Sequence, residues 1–251
     1  MPDVLTFPFA GLSELELAML VGVTVIAGLV RGFTGFGQAM VFVPPVSVLL
    51  SPAAAVLLLF FVDGFITLPM VVGAARRCRW GEVLPIVIGT AITAPFGAMV
   101  LAQADPGLLA KGLAIIVLLA VGLLASGWRY TRILPKTAVV GVGAAAGFTG
   151  TLAGLYGPPI VLFWLGGTAD ASTVRANLIT FFGLATVVSG ASFWLSDLFT
   201  WEVTLMALWL IPLYGVMLWL GAKGFGRATE KLYRYTALVV AGAMSAASLA
   251  F

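Results

Sequence analysis

Eight predominantly apolar stretches of the chain, at about 12–33, 52–75, 81–102, 106–126, 135–150, 172–196, 201–220 and 231–250, approach or reach the roughly twenty residues that an α-helix needs to cross a bilayer. No other feature limits the fold so tightly. Backbone immersed in hydrocarbon must satisfy its own N–H and C=O groups, which only helices and closed barrels achieve. Continuous apolar runs of this length select helices. With 61% hydrophobic residues, 9% charged residues and a mean hydropathy of +1.13 over 251 residues, almost nothing remains for a soluble domain. The expectation is an all-α polytopic membrane protein in which 1–251 form a single transmembrane domain. The N-terminus lacks the basic region of a signal peptide, so the first stretch reads as a retained helix.

The missing residue types exclude much chemistry. With no histidine and the single cysteine Cys78, the usual zinc, haem and iron–sulfur ligand sets cannot be assembled, nor can a Ser-His-Asp triad. No cofactor or metal is expected. An intramembrane enzyme would need a matched nucleophile and base or an aspartate pair, and Asp63 stands alone at depth, so the chain is not read as an enzyme. The net charge of +3 and pI near 9.2 would suggest nucleic acid in a soluble protein, but here the basic residues sit in short loops, where topology explains them. GFTGFG at 32–37 lacks the preceding strand of a dinucleotide loop and is rejected as one.

Two shorter apolar segments, 38–50 and 157–167, follow the first and fifth long ones, so each half of the chain reads long, short, long, long, long. GFTGFGQAMVFVPPV from Gly32 lies over GFTGTLAGLYGPPIV from Gly147 if one residue is skipped before the prolines. This is read as an internal duplication, with repeat 1 at about 12–126 and repeat 2 at about 135–250. Lysine and arginine cluster at 76–79, 129–136 and 223–234, which the positive-inside rule assigns to the cytoplasm. The crossings then count correctly if each long-plus-short pair enters and returns to one side. Both termini come out periplasmic and the second repeat is inverted, the pattern of secondary transporters. Glycine and proline break helical hydrogen bonding, and such breaks are tolerated at membrane depth where they are buried in protein or line a polar cavity. Short helices are expected to restart over 42–50 and 160–165, with Pro44, Pro45, Pro158 and Pro159 in their first turns. Two such starts would offer amide N–H groups to an anion.

At these residues the chain resembles the sulfite exporter TauE/SafE family of bacterial membrane transporters. The resemblance rests on the duplicated Gly-Phe-Thr-Gly at 32–35 and 147–150, on Gly157-Pro158-Pro159-Ile160-Val161 and on Arg175-Ala176-Asn177-Leu178, and it spans almost the whole chain. It implies a multi-pass protein of the inner membrane that exports sulfite or a small organosulfonate. An anion channel built from paired half-helices and an uptake carrier for another small oxyanion are the rival readings.

The candidate substrate contacts are Arg31, Thr34, Gly35, Gly37 and Gln38 at the first break and Thr149, Gly150, Thr151, Tyr156 and Gly157 at the second, a set rich in neutral donors suited to oxyanion oxygens. Arg31 is either a functional charge or a snorkelling interfacial one. Asp63 would be costly unpaired in the middle of its helix. As a partner of Arg31 it would fix packing, and as a titrating group it would couple transport to protons. Arg175 and Asn177 open a helix and read first as an anchor and a cap. The partners expected are a small anion and the lipid bilayer, with no nucleic acid. The oligomeric state is not written in the sequence.

Overall fold

The computed structural model describes residues 9, 11–126, 135–165 and 171–224. Among them there are nine helices and no strand: α1 (Glu14–Thr34), α2 (Gln38–Leu49), α3 (Pro52–Ala75), α4 (Trp80–Gln103), α5 (Pro106–Ala125), α6 (Lys136–Ala153), α7 (Gly157–Leu165), α8 (Ala171–Leu195) and α9 (Trp201–Gly224). Six of these, α1, α3, α4, α5, α8 and α9, are long and apolar enough to cross a membrane. The fifth expected span, α6, falls short of that because glycines, threonines and Lys136 dilute its 18 residues. The eighth, 231–250, lies outside the described residues.

Local sequence explains the helix ends. Ser13 and Glu16 form a capping box at the start of α1, each side chain bonding the other's backbone N–H. Ser51 caps α3 through a 3.1 Å bond from Ala54 N–H, with Pro52 at the first helical position. α1 ends at Gly35 (φ 75°) and α6 at Gly154 (φ 71°), both left-handed, where a side chain would be strained.

These ends correct two expectations. In the first copy the final glycine of Gly-Phe-Thr-Gly is the break, but in the second the chain runs four residues past Gly150 before breaking at Gly154. The reason is packing. A Cβ on Gly147 would sit 2.5 Å from Thr90 O, so the second motif is spent on the contact between α6 and α4. The prolines also differ: Pro158 and Pro159 occupy the first turn of α7 as expected, whereas α2 begins at Gln38 and holds Pro44 and Pro45 in its interior. Each interior proline withholds one N–H from the carbonyl a turn earlier.

The helices meet through small residues. α1 runs parallel to α9, with Gly28 against Tyr214 O and Gly32 against Leu218 O; α4 runs parallel to α6, with Gly143 against Ile86 O and Gly147 against Thr90 O. α3 and α8 cross antiparallel in the centre, where Phe60 meets Gly190 and Phe193, Gly64 meets Thr186, and Val71 meets Gly183. α2 packs between α1 and α3, and α7 packs on α6. The two helix breaks are thereby brought to the middle of the α3–α8 crossing.

Candidate functional site

After α1 ends, Gly35 and Gly37 (φ 75° and 88°) turn the chain so that α2 starts at Gln38. After α6 ends at Gly154, Leu155 and Tyr156 lead into α7. Both starts open on one cavity of about 60 Å³, lined by Leu59, Asp63 and Gly64 of α3 and by Phe182, Thr186 and Ser189 of α8. That is room for a few waters or one small ion. Of the residues expected at a site, Gly37, Gln38, Asp63, Gly150, Tyr156 and Gly157 line it. Arg31, Gly35, Thr149, Thr151, Arg175 and Asn177 do not, and the side chain of Thr34 lies outside the described residues.

The two starts are unequal as donors. A helix leaves its first four amide N–H groups without internal partners. The start of α2 has no side-chain cap, and Met40 N–H reaches Gly37 O at 3.2 Å. α7 has lost two of those donors, because Pro158 and Pro159 carry no N–H. Gln38 stands at the richer end. It is 8% exposed, and its Oε1 is buried with no hydrogen-bond partner. Which end of the amide carries oxygen is an assignment, so either an acceptor or a donor is left unmatched beside the cavity. A buried polar atom without a partner is destabilising unless something enters to meet it.

The hydroxyls expected as donors are already engaged. Ser189 Oγ donates to Ala185 O at 2.6 Å, so in its contact with Ser189 the Tyr156 hydroxyl is the donor. The Tyr156 ring lies flat on Gly150, where a Cβ would meet it at 2.0 Å. Thr149 Oγ1 lies 2.8 Å from Ala145 O and 2.9 Å from Leu155 O, bracing the break. Thr151 Oγ1 is fully buried at 2.9 Å from both Ala94 O and Gly147 O, joining α6 to α4.

Arg31 and Asp63 form a salt bridge, Nε to Oδ1 at 2.9 Å, with side chains 9% and 15% exposed. The other guanidinium nitrogens donate to Gly35 O, the carbonyl freed by the break, and to Thr67 Oγ1 at 3.2 Å. Tyr214 OH donates to Asp63 Oδ1 at 2.9 Å from α9, and the Phe182 ring of α8 covers the guanidinium at 5.1 Å. One carboxylate thus ties α1, α3 and α9 together behind the cavity wall. Thr67, Tyr214 and Phe182 were not singled out in the sequence. Thr67 follows Asp63 by one helical turn and was within reach of that reasoning, whereas the other two come from a distant part of the chain.

Asn177, fully buried on α8, makes a second junction away from the cavity. Its Oδ1 accepts Arg79 N–H at 2.8 Å and its Nδ2 donates to Glu82 Oε2 at 3.0 Å, which also accepts Trp164 Nε1–H at 3.2 Å. It caps α4 from another helix and joins α4, α7 and α8. Arg175 is exposed nearby on α8.

A family model described as sulfite exporter TauE/SafE matches residues 20–248, taking in most of α1 and all of α2–α9. The chain belongs to the sulfite exporter TauE/SafE family. TauE/SafE proteins are membrane transporters of sulfur-containing anions, which agrees with the apolar helices and the small cavity among them. Neither the comparison with curated proteins nor that with solved structures returns a match.

Proposed function

We propose that this TauE/SafE protein is a secondary carrier of the bacterial inner membrane that exports a small sulfur-containing anion such as sulfite, bound in the cavity between the starts of α2 and α7. The observation that carries the reading is Gln38, an unpartnered buried amide at an uncapped helix start, beside a cavity sized for one small ion. Amide dipoles there favour an anion, and the low-polarity surroundings strengthen each contact. The family supports the class of cargo and the outward direction.

The same reading makes the two halves inverted repeats. Equivalent helices α3 and α8 cross antiparallel, and the partnership of α1 with α9 is repeated by that of α6 with α4. A two-fold axis in the membrane plane would generate both relations and pass close to the cavity, as expected of a carrier that alternates its access. The Arg31–Asp63 pair has no second copy, since Phe182 stands opposite Asp63 when the terminating glycines Gly35 and Gly154 are aligned.

Reconstituted flux tests the proposal. Proteoliposomes should accumulate labelled sulfite with saturation and show counterflow, and should discriminate against the bulkier sulfoacetate. Flux that rises linearly with concentration and shows no counterflow would instead support a channel, and no flux of sulfite, thiosulfate or sulfoacetate, with or without a proton gradient, would refute transport of this class.

A further inference from the structure

We propose that the cavity takes its cargo as a singly charged oxyanion that keeps one proton, hydrogen sulfite rather than the sulfite dianion. This rests on the reading of the cavity as the transport site and adds the charge state to it.

The first ground is the charge inventory. Among the described residues that line the cavity there is no lysine or arginine, while Asp63 is one of them. The cation behind the wall, Arg31, is matched by Asp63, and each of its three nitrogens donates to a protein acceptor. Among the described residues, what remains positive at the cavity is the pair of helix starts, each equivalent to roughly half an elementary charge. Their sum is about one charge at most, and less in practice because Pro158 and Pro159 remove two donors from α7. One negative charge is balanced by this arrangement. A second would sit uncompensated in a small cavity walled by Phe182, Phe193, Leu59 and Met40, where an unmatched charge is expensive.

The second ground is the acceptors. In the orientation the structure gives its amide, Gln38 Oε1 is buried without a donor, whereas Asp63, a lining residue, already accepts from Arg31, Tyr214 and Thr67. A fully deprotonated oxyanion brings only further acceptors to these oxygens. A protonated one presents an O–H that the Gln38 oxygen can receive, while its remaining oxygens take the amide N–H groups of α2. The inventory therefore matches a ligand that is both anion and donor.

Binding to the full chain in nanodiscs, with no gradient across the membrane, tests this over pH 6–9 using sulfite, chlorate and sulfate. Chlorate has the pyramidal shape of sulfite and one charge at every pH in the series; sulfate has two. Asp63 from α3 and Tyr156 from the α6–α7 break are the titratable groups in the wall, with Arg31 of α1 and Tyr214 of α9 behind Asp63; α2 and α8 contribute none to it. Chlorate meets the same groups and carries no titrating proton of its own, so the sulfite series is read relative to it. Sulfite affinity should fall about tenfold per pH unit once hydrogen sulfite gives up its proton, and sulfate should bind at least tenfold more weakly than chlorate throughout. Gln38→Met should weaken sulfite about tenfold at pH 6. Sulfite bound as tightly at pH 9 as at pH 6, or sulfate equal to chlorate, overturns the charge assignment and leaves the site standing, whereas wild-type sulfite affinity in Gln38→Met overturns the site and the charge state with it. No binding of any of the three anions overturns the site and the charge state together.

Discussion

Arg31 and Asp63 act as one neutral unit, and their removal should be judged accordingly. Asp63→Asn leaves a buried guanidinium without its counter-charge, a change of about 3 kcal/mol or more. The variant should melt well below wild type in detergent, and Arg31→Met combined with Asp63→Leu should recover part of the loss. A single variant as stable as the parent would mean that the pair is not closed to water. Two glycines make a contrasting test. Gly35 has open space around its missing Cβ but a φ of 75°, so Gly35→Ala should cost about 1 kcal/mol of strain and little else. Gly150 has helical geometry but no space, so Gly150→Ala must displace the Tyr156 ring and should impair sulfite binding even where the fold survives. Equal stability and equal binding in the two variants would contradict this division. Both charges were legible in the sequence because ionisable residues are rare in apolar helices. Their partnership with Tyr214 was not, since it depends on how α9 is rotated against α3.

At the scale of elements, positions were readable and breaks less so. The short helices follow the two glycine-rich junctions as their lengths suggested, but the duplicated letters do different jobs. In the first copy they bend the chain, and in the second they let α6 press on α4 while Gly154 makes the turn. A sequence repeat preserves residue types, and tertiary contact decides whether a glycine is used for its backbone freedom or for its missing side chain. The parallel crossings of α1 with α9 and of α4 with α6 rely on the second use. A Cβ at Gly32 would lie 1.8 Å from Leu218 O, a backbone atom that cannot step aside, so Gly32→Ala must separate the helices. Its expression and melting temperature should drop sharply. Gly22 in the same helix has nothing within 4 Å, and Gly22→Ala should be neutral or slightly stabilising through helix propensity alone. Matching behaviour of the two variants would mean that the α1–α9 crossing is not close-packed.

For the whole molecule, the membrane class followed from apolar length alone, and the order of long and short segments came from the repeat. The cavity was legible only in part: the two breaks pointed to residues 36–40, Gly150 and 156–157, but not to the walls that α3 and α8 bring to them apart from Asp63. What joins these scales is the orientation of the halves, and it can be tested without reference to function. Glu14 and Lys136 are the first residues of α1 and α6, the helices that carry the two Gly-Phe-Thr-Gly copies, and both are exposed. If the repeats are inverted, these two positions lie on opposite faces of the membrane; if the repeats are parallel, they share one. The single native cysteine, Cys78, can be replaced by serine, and Glu14→Cys, Lys136→Cys and Arg77→Cys introduced one at a time. The basic clusters predict that a membrane-impermeant maleimide reaches positions 77 and 136 from the cytoplasmic face of inverted vesicles and position 14 from the periplasmic face of intact cells. Labelling of 14 and 136 from the same side would remove the in-plane axis, and with it the argument that the two helix starts face one cavity through symmetry.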